Sequence, residues 1–423
     1  MSPFSVLSDF WGIIVYLGVC SALVAGCFCG DPYGYAEGDP RAGGFADAWA
    51  WFVSIKIPAL AVWAVRACLP GRVSEVALRK AEDAKTYVCF KPNPLVQIFY
   101  LGVVFGGIYM FIAEAYPYIP NPRMHAWHKY TGYVAMASAL VSFVVASTTP
   151  PGKITKKTVS IYDHFPYDDF LYVRRACKTC KTPKLARSKH CSICGYCVPK
   201  FDHHCPWINN CVGERNHKHF MAFLFANAFL LAYGTYASAT ILYMLVERNN
   251  LYGATFVNQI TGNRVTASHA IVFRYMFANH GLLMCAFLLC TIMGVCVSAF
   301  FGYHVYLIVR GTTTNESYKW GLVSSYYKRR KKREKEAAAK APVKGKRTEQ
   351  GGDQNPKQGG GRYAPSKSST PRPLEQRPDA DFPALIPPNI YNRGIFANIM
   401  VVLRPPCEKR AAEAAAAASK KGH

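Results

Sequence analysis

Residues 177–211 carry the pattern Cys177-x2-Cys180-x9-His190-Cys191-x2-Cys194-x2-Cys197-x4-Asp202-His203-His204-Cys205-x5-Cys211. Each Cys-x2-Cys pair sets two thiols on one tight turn, a spacing that suits tetrahedral zinc. Seven cysteines and three histidines stand here as candidate ligands. Two closed four-ligand sites would use eight of them. One Cys and one His remain, with Asp202 beside them. That remainder has the composition of an Asp-His-Cys nucleophilic group, because a neighbouring His turns a thiol into a strong nucleophile. The arithmetic does not say which Cys and which His are spare. The competing reading is a purely structural finger that uses all ten.

Outward from this stretch the chain is apolar. Of 423 residues 51% are hydrophobic and only 18% charged, against about 25% charged in a soluble domain. A membrane helix needs about 20 mostly apolar residues. Four runs qualify: Leu95–Ala113, Tyr130–Thr148, Phe220–Val246 and Gly281–Val309. A fifth, Trp11–Cys29, lacks the basic start and small-residue cleavage site of a signal peptide and reads as a retained span. Ala48–Leu69 carries Lys56, Pro58 and Arg66. It reads as an interfacial or re-entrant helix, with a sixth span as the alternative. These runs exclude a simple soluble enzyme, a fibrous protein and a wholly disordered chain. The other cysteines are scattered, mostly within apolar runs, so they read as reduced thiols and not as a secreted disulfide scaffold.

The net charge of +25 is unevenly placed. Basic residues concentrate between Pro150 and His219 and from Arg310 onward, each time after an apolar run. The positive-inside rule puts both segments in the cytosol, beside anionic lipid. The short linker Tyr116–Trp127 and the loop Glu247–His280 then face the lumen. A nucleic-acid partner is not indicated, because the basic residues lie in the tail or beside spans with little aromatic interleaving. Past Val309, Lys328–Arg347 is strongly basic and Gly351–Pro378 is rich in Gly, Pro, Ser and Gln. Both read as disordered linker. Apolar residues return at Phe382–Leu403, where a short folded element is expected, and Ala411–His423 reads as a frayed helix.

The cysteine-rich stretch is similar to that of the Asp-His-His-Cys (DHHC) protein S-acyltransferases, and the match continues through Asn216 and Phe220 at that family's spacing. Thr313-Thr314-Asn315-Glu316 resembles the family's Thr-Thr-x-Glu motif, and Asn389–Asn398 resembles its conserved C-terminal motif. The resemblance covers roughly Leu95–Leu403 apart from the linker. It implies an α-helical polytopic membrane protein. A four-helix core carries at least one N-terminal span, and a small cytosolic double-zinc domain sits between the second and third core spans. The expected organisation is a span at 1–29, a loop at 30–94 with the candidate helix at 48–69, and core spans at 95–148. The zinc domain follows at 149–219 and further core spans at 220–309. The Thr-Thr-x-Glu segment at 310–327, a disordered linker at 328–381, the C-terminal motif at 382–404 and a tail at 405–423 complete it.

By the same resemblance one zinc takes Cys177, Cys180, His190 and Cys197, and the other takes Cys191, Cys194, His204 and Cys211. Asp202, His203 and Cys205 are left as the catalytic group. The implied reaction moves a long-chain acyl group, palmitoyl, from acyl-CoA to Cys205 and then to cysteines of membrane-associated proteins at the cytosolic face. Lys184, Arg187 and Lys189 correspond to residues that bind the CoA phosphates, with solvated surface charge as the alternative. Trp207 and Phe220 would line the acyl cavity. Thr314, Glu316, Tyr391 and Asn398 read as structural, tying the zinc domain and the tail to the end of the last span. Cys407 reads as an inert thiol, with self-acylation as the alternative. The competing class is a membrane-anchored zinc-binding adaptor or scaffold without catalysis, which would need no spare Cys and His. Lys420-Lys421-Gly422-His423 resembles a dilysine retrieval signal. It points to the endoplasmic reticulum, with the Golgi as alternative.

Overall fold

The structure is a computed structural model, and it describes residues 71–257, 262–340, 383 and 385–419. The span expected at Trp11–Cys29, the candidate helix at Ala48–Leu69, Lys420-Lys421 and most of the linker lie outside those residues. Among the described residues the helices are α1 (Gly71–Phe90), α2 (Leu95–Glu114), α3 (Trp127–Thr148) and α4 (Val159–Tyr162). Strands β1 (Lys189–Cys191), β2 (Tyr196–Val198), β3 (His203–Cys205) and β4 (Asn210–Val212) follow. Then come α5 (His217–Arg248), β5 (Thr255–Val257), β6 (Arg264–Thr266), α6 (His269–Asn279) and α7 (Gly281–Val309). The chain closes with α8 (Thr314–Lys340), α9 (Ile395–Leu403) and α10 (Pro406–Ser419).

Helices α2, α3, α5 and α7 are long and apolar enough to cross a membrane. At 1.5 Å per residue the 20 residues of α2 span about 30 Å, the thickness of the hydrocarbon layer. In lipid every backbone polar group must be satisfied within the segment, which a helix does. Large apolar side chains such as Phe105, Tyr109, Val134, Val141 and Val295 are exposed along these helices, as expected where the solvent is acyl chain. The expected core runs therefore stand, with α3 and α5 each starting three residues earlier than the apolar runs at Tyr130 and Phe220.

The chain divides into two compact units, residues 1–139 with 227–296 and residues 140–226 with 297–423. In the first, Phe111, Tyr116, Met136, Ile241, Leu245 and Leu283 share one core. The segment between α5 and α7 holds the β5–β6 hairpin and α6, whose N-terminus is capped by Ser268 accepting from the Ile271 amide. An Arg123–Glu247 ion pair is half exposed on both sides and contributes little in high dielectric. The second unit carries both small hairpins, α4, α8, α9 and α10. Its core includes Phe165, Phe170, Leu171, Tyr172, Val323 and Tyr391.

Two expectations about segments need correction. Residues 71–90, expected as loop, form α1. The basic stretch from Lys328, expected as disordered, continues α8 to Lys340. Lys, Arg, Glu and Ala are good helix formers, and the start of α8 is anchored in the second unit, so propensity carries the helix onward. The Ala-rich tail is helical to Ser419, docked at its start by the buried Cys407, whose amide donates to Glu214 Oε1 at 3.1 Å.

Candidate functional site

The two hairpins explain why the ligand sets interleave. In β1–β2, His190 lies opposite Cys197 and Cys191 opposite Tyr196. Neighbouring residues on a strand point to opposite faces. His190 therefore joins Cys177, Cys180 and Cys197, while Cys191 joins Cys194, His204 and Cys211. The His190 Nδ1 lies 3.7, 3.2 and 3.8 Å from the sulfurs of Cys177, Cys180 and Cys197. The His204 Nδ1 lies 3.8, 3.4 and 3.5 Å from those of Cys191, Cys194 and Cys211. Zn–S near 2.3 Å and Zn–N near 2.0 Å put tetrahedral ligands about 3.5 Å apart. Both sets fit a closed zinc site, and they are the sets that the resemblance implies. Each turn is tight. The Cys180 amide donates to Cys177 Sγ and the Cys194 amide to Cys191 Sγ. Gly195 follows at φ +74°, a conformation that glycine adopts without strain.

The same alternation acts on β3. His204 lies opposite Cys211 and faces the second zinc set. His203 and Cys205, one residue to either side, take the other face of the strand. His203 Nδ1 bonds Asp202 Oδ2 at 2.7 Å, and Cys205 stands near enough to act on the charge of the same ring. Cys205 is buried and His203 is 23% exposed. Phe220, at the start of α5, sets its ring edge-on to His203 with centroids 5.0 Å apart.

Asp202 is fully buried and is fixed from α8. The Thr314 amide donates to Oδ1 at 2.8 Å and its hydroxyl to Oδ2 at 2.9 Å. Burial alone would raise the Asp202 pKa. The His203 hydrogen bond and the potential of His203, His217 and His304 outweigh it and hold the carboxyl well below the usual range. Burial likewise works against a charged His203, but the bond to Asp202 and the influence of Cys205 win and lift it to about 10.

The Thr-Thr-x-Glu segment does three jobs at once. Thr313 and Glu316 form a reciprocal capping box at the start of α8, with the Thr313 amide donating to Glu316 Oε2 at 3.0 Å and the Glu316 amide to Thr313 Oγ1 at 3.2 Å. Thr314 holds Asp202. Glu316 takes Arg187 in a two-pronged pair, Nε to Oε1 at 2.7 Å and Nη2 to Oε2 at 2.6 Å. The C-terminal motif closes the end of α7, whose last carbonyls have no partner inside the helix. Asn398 donates to Val309 O, Asn389 to Arg310 O and Arg187 to Gly311 O. Gly311 has φ +63°, and a Cβ there would sit 2.8 Å from the Tyr391 carbonyl. Tyr391 itself bonds the Pro166 carbonyl.

Arg187 is therefore not a free phosphate ligand. It is 3% exposed, and its guanidinium is engaged by Glu316 and Gly311 and stacked over Tyr391. Lys184 and Lys189 remain partly exposed. Burial lowers the Lys184 pKa, helped by Arg175 and Lys189. Lys319 of α8 is pulled down to about 8, first by burial and then by Lys184, Lys189 and Arg175, with Glu316 opposing. These four basic groups thus act on one another, and Lys319 and Arg175 are members that sequence spacing did not suggest. Trp207 is half-buried. Also unforeseen is His304 of α7, whose Nδ1 lies 3.9 Å from Asp202 Oδ2.

A family model described as DHHC palmitoyltransferase matches residues 172–321, the stretch from the zinc domain to the start of α8. Palmitoyltransferase swf1 of Schizosaccharomyces pombe is 35% identical over 262 residues, which cover 62% of this chain and 68% of that protein. Palmitoyltransferase ZDHHC4 of Bos taurus is 29% identical over 195 residues, 46% of this chain and 57% of that one. Palmitoyltransferase SWF1 of Kluyveromyces lactis is 39% identical over 150 residues, 36% and 37% of the two chains. With the zinc-ligand sets, the membrane helices and this breadth of match in hand, the chain belongs to the DHHC palmitoyltransferase family, the protein S-acyltransferases.

Proposed function

We propose that this chain transfers palmitoyl from palmitoyl-CoA to protein cysteines in two thioester exchanges, through an acyl group on Cys205. The observation that carries this reading is the division on β3. Eight ligands are accounted for by two closed sets, and His203 and Cys205 stand together on the other face beside a fixed Asp202. The Cys205 sulfur attacks the acyl-CoA carbonyl while His203 takes the thiol proton. Asp202 orients the ring and stabilises its charged form. The S–C bond to CoA breaks, CoA leaves as the thiol, and a substrate cysteine repeats the attack on the Cys205 thioester. One thioester replaces another, so each step is nearly isoenergetic. When bound, zinc cross-links the hairpin turns and holds the β3 loop in place, and closed four-ligand sets leave it no position for substrate.

Lys184, Lys189, Lys319 and Arg175 form the group we assign to the CoA phosphates. Their mutual repulsion would be relieved by a polyanion. Phe220 lies against His203, so an acyl chain on Cys205 would start beside its ring. We place Trp207 in the same acyl-binding surface. The substrates are membrane-associated proteins with cysteines close to the cytosolic face. That orientation rests on the basic loops and tail. Residence in the endoplasmic reticulum rests on Lys420 and Lys421. Purified protein incubated with labelled palmitoyl-CoA should carry label that neutral hydroxylamine removes. Protein that stays unlabelled with both zinc ions bound would favour the adaptor reading.

A further inference from the structure

His304 lies near the end of α7, 1% exposed, in a box of aromatic edges. Phe300 and Phe220 set their rings nearly perpendicular to it at centroid distances of 4.6 and 5.1 Å. Neither ring nitrogen has a hydrogen-bond partner among the described residues. Burying an unpaired donor or acceptor forfeits its hydrogen bonds to water without replacement. A phenyl ring would fill the same box without that cost, so packing does not account for an imidazole. What the ring faces is the catalytic group. Its Nδ1 is 3.9 Å from Asp202 Oδ2, and its ring centroid is 5.7 Å from that of His203. One atom each of Asp202, His203 and His304 lie within 4.8 Å of one another.

A carboxylate has room for about four donors. The Asp202 side chain has three, from the Thr314 amide, the Thr314 hydroxyl and His203 Nδ1. A hydrogen bond from His304 needs Nδ1 to approach by about 1 Å. His217, the other buried histidine of this unit without a hydrogen-bond partner among the described residues, lines a small cavity with Lys200 and Tyr391. No comparable distance ties it to the Asp202 carboxylate, so His304 is the stronger candidate.

We propose that His304 is a positioning residue of the catalytic group. As a neutral ring it directs Nδ1–H at Asp202 and supplies the fourth donor that keeps the carboxylate aligned on His203 while His203 carries the Cys205 proton. The inference rests on the acyl-enzyme reading above. It does not touch the zinc sets, and His304 itself does not contact the reacting atoms.

The test uses the purified full chain with His304→Phe, His304→Asn and His304→Gln. Single-turnover acylation by palmitoyl-CoA gives the maximal rate constant and the half-saturating concentration, and zinc per chain is measured alongside. The Asn amide reaches the place of Nδ1, and the Gln amide reaches that of Nε2. His304→Phe should slow acylation about 100-fold, with half-saturation within about twofold and two zinc ions retained. His304→Asn should recover most of the rate, and His304→Gln should not. Parental acylation by His304→Phe would overturn the proposal. So would equal rates for Asn and Gln, or a loss that tracks lost zinc. If the Phe variant does not fold, the order of Asn above Gln still decides. A parent protein that takes no acyl group at all overturns the acyl-enzyme reading itself, and this proposal with it.

Discussion

Removing one partner of the Arg187–Glu316 pair should cost far more than removing both. The two side chains are 3% and 1% exposed, and two bonds of 2.7 and 2.6 Å join them. Tyr172 and the Thr313 amide also donate to Glu316, and Arg187 holds the Gly311 carbonyl. Glu316→Leu leaves a buried guanidinium without its counter-charge, a loss of about 3–5 kcal/mol. Arg187→Met leaves the carboxylate stranded at a similar cost. The double variant buries no charge and keeps apolar bulk beside Phe165 and Tyr391, so it should be more stable than either single variant. The coupling must then exceed the loss of either single variant, that is, more than about 3–5 kcal/mol. Unfolding of the purified protein in detergent, followed by denaturant titration, measures all four forms. A loss under about 1 kcal/mol in Glu316→Leu, or additive losses in the double variant, would refute the reasoning. The pair would then be a solvated bridge, and Arg187 would be available to phosphate after all.

His204→Ala should lose one zinc and melt at lower temperature, whereas His203→Ala should keep two zinc ions and the fold and acylate more slowly. Equal zinc loss, read by metal analysis, would contradict the division of faces on β3. Charge reversal at Lys184 and Lys189 should raise the apparent KM for acyl-CoA by about tenfold, with the effect shrinking at high salt. An unchanged KM across the salt range would return them to surface charge. Replacing Lys420 and Lys421 by Ser should move the protein onward to the Golgi with acyl transfer intact, as scored by microscopy. Retention of that variant would show that something else holds it.

The presence of two zinc sites and of the core spans was legible in sequence because short-range rules specify them, whereas the division of ligands between the sites came from the family resemblance. Cys-x2-Cys fixes a turn, and 20 apolar residues fix a span. Strand alternation also separates His204 from its two neighbours, yet that could be used only once His203–Cys205 was known to be a strand. The misread residues depend on contacts between distant parts of the chain. Arg187 sits on the zinc-domain turn among lysines, and only the position of Glu316, 129 residues away, removes it from solvent. His304 falls within a long apolar run, where nothing local distinguishes a packed ring from one aimed at Asp202. The charge density of Lys328–Lys340 suggests disorder, but its residues are good helix formers and the capping box of Thr313 and Glu316 anchors the helix start.

The most direct test of the central claim joins acyl site and metal count in one preparation. Purified protein and its Cys205→Ser variant are incubated with palmitoyl-CoA and digested. Mass spectrometry then locates the acyl group, and zinc per chain is measured on the same material. The parent should carry a hydroxylamine-labile palmitoyl on Cys205 and two zinc ions. The variant should carry no palmitoyl there, transfer none, and still hold two. A folded Cys205→Ser protein with a single zinc, or a parent acylated elsewhere with Cys205 untouched, would mean that Cys205 is a ligand or a bystander and not the nucleophile.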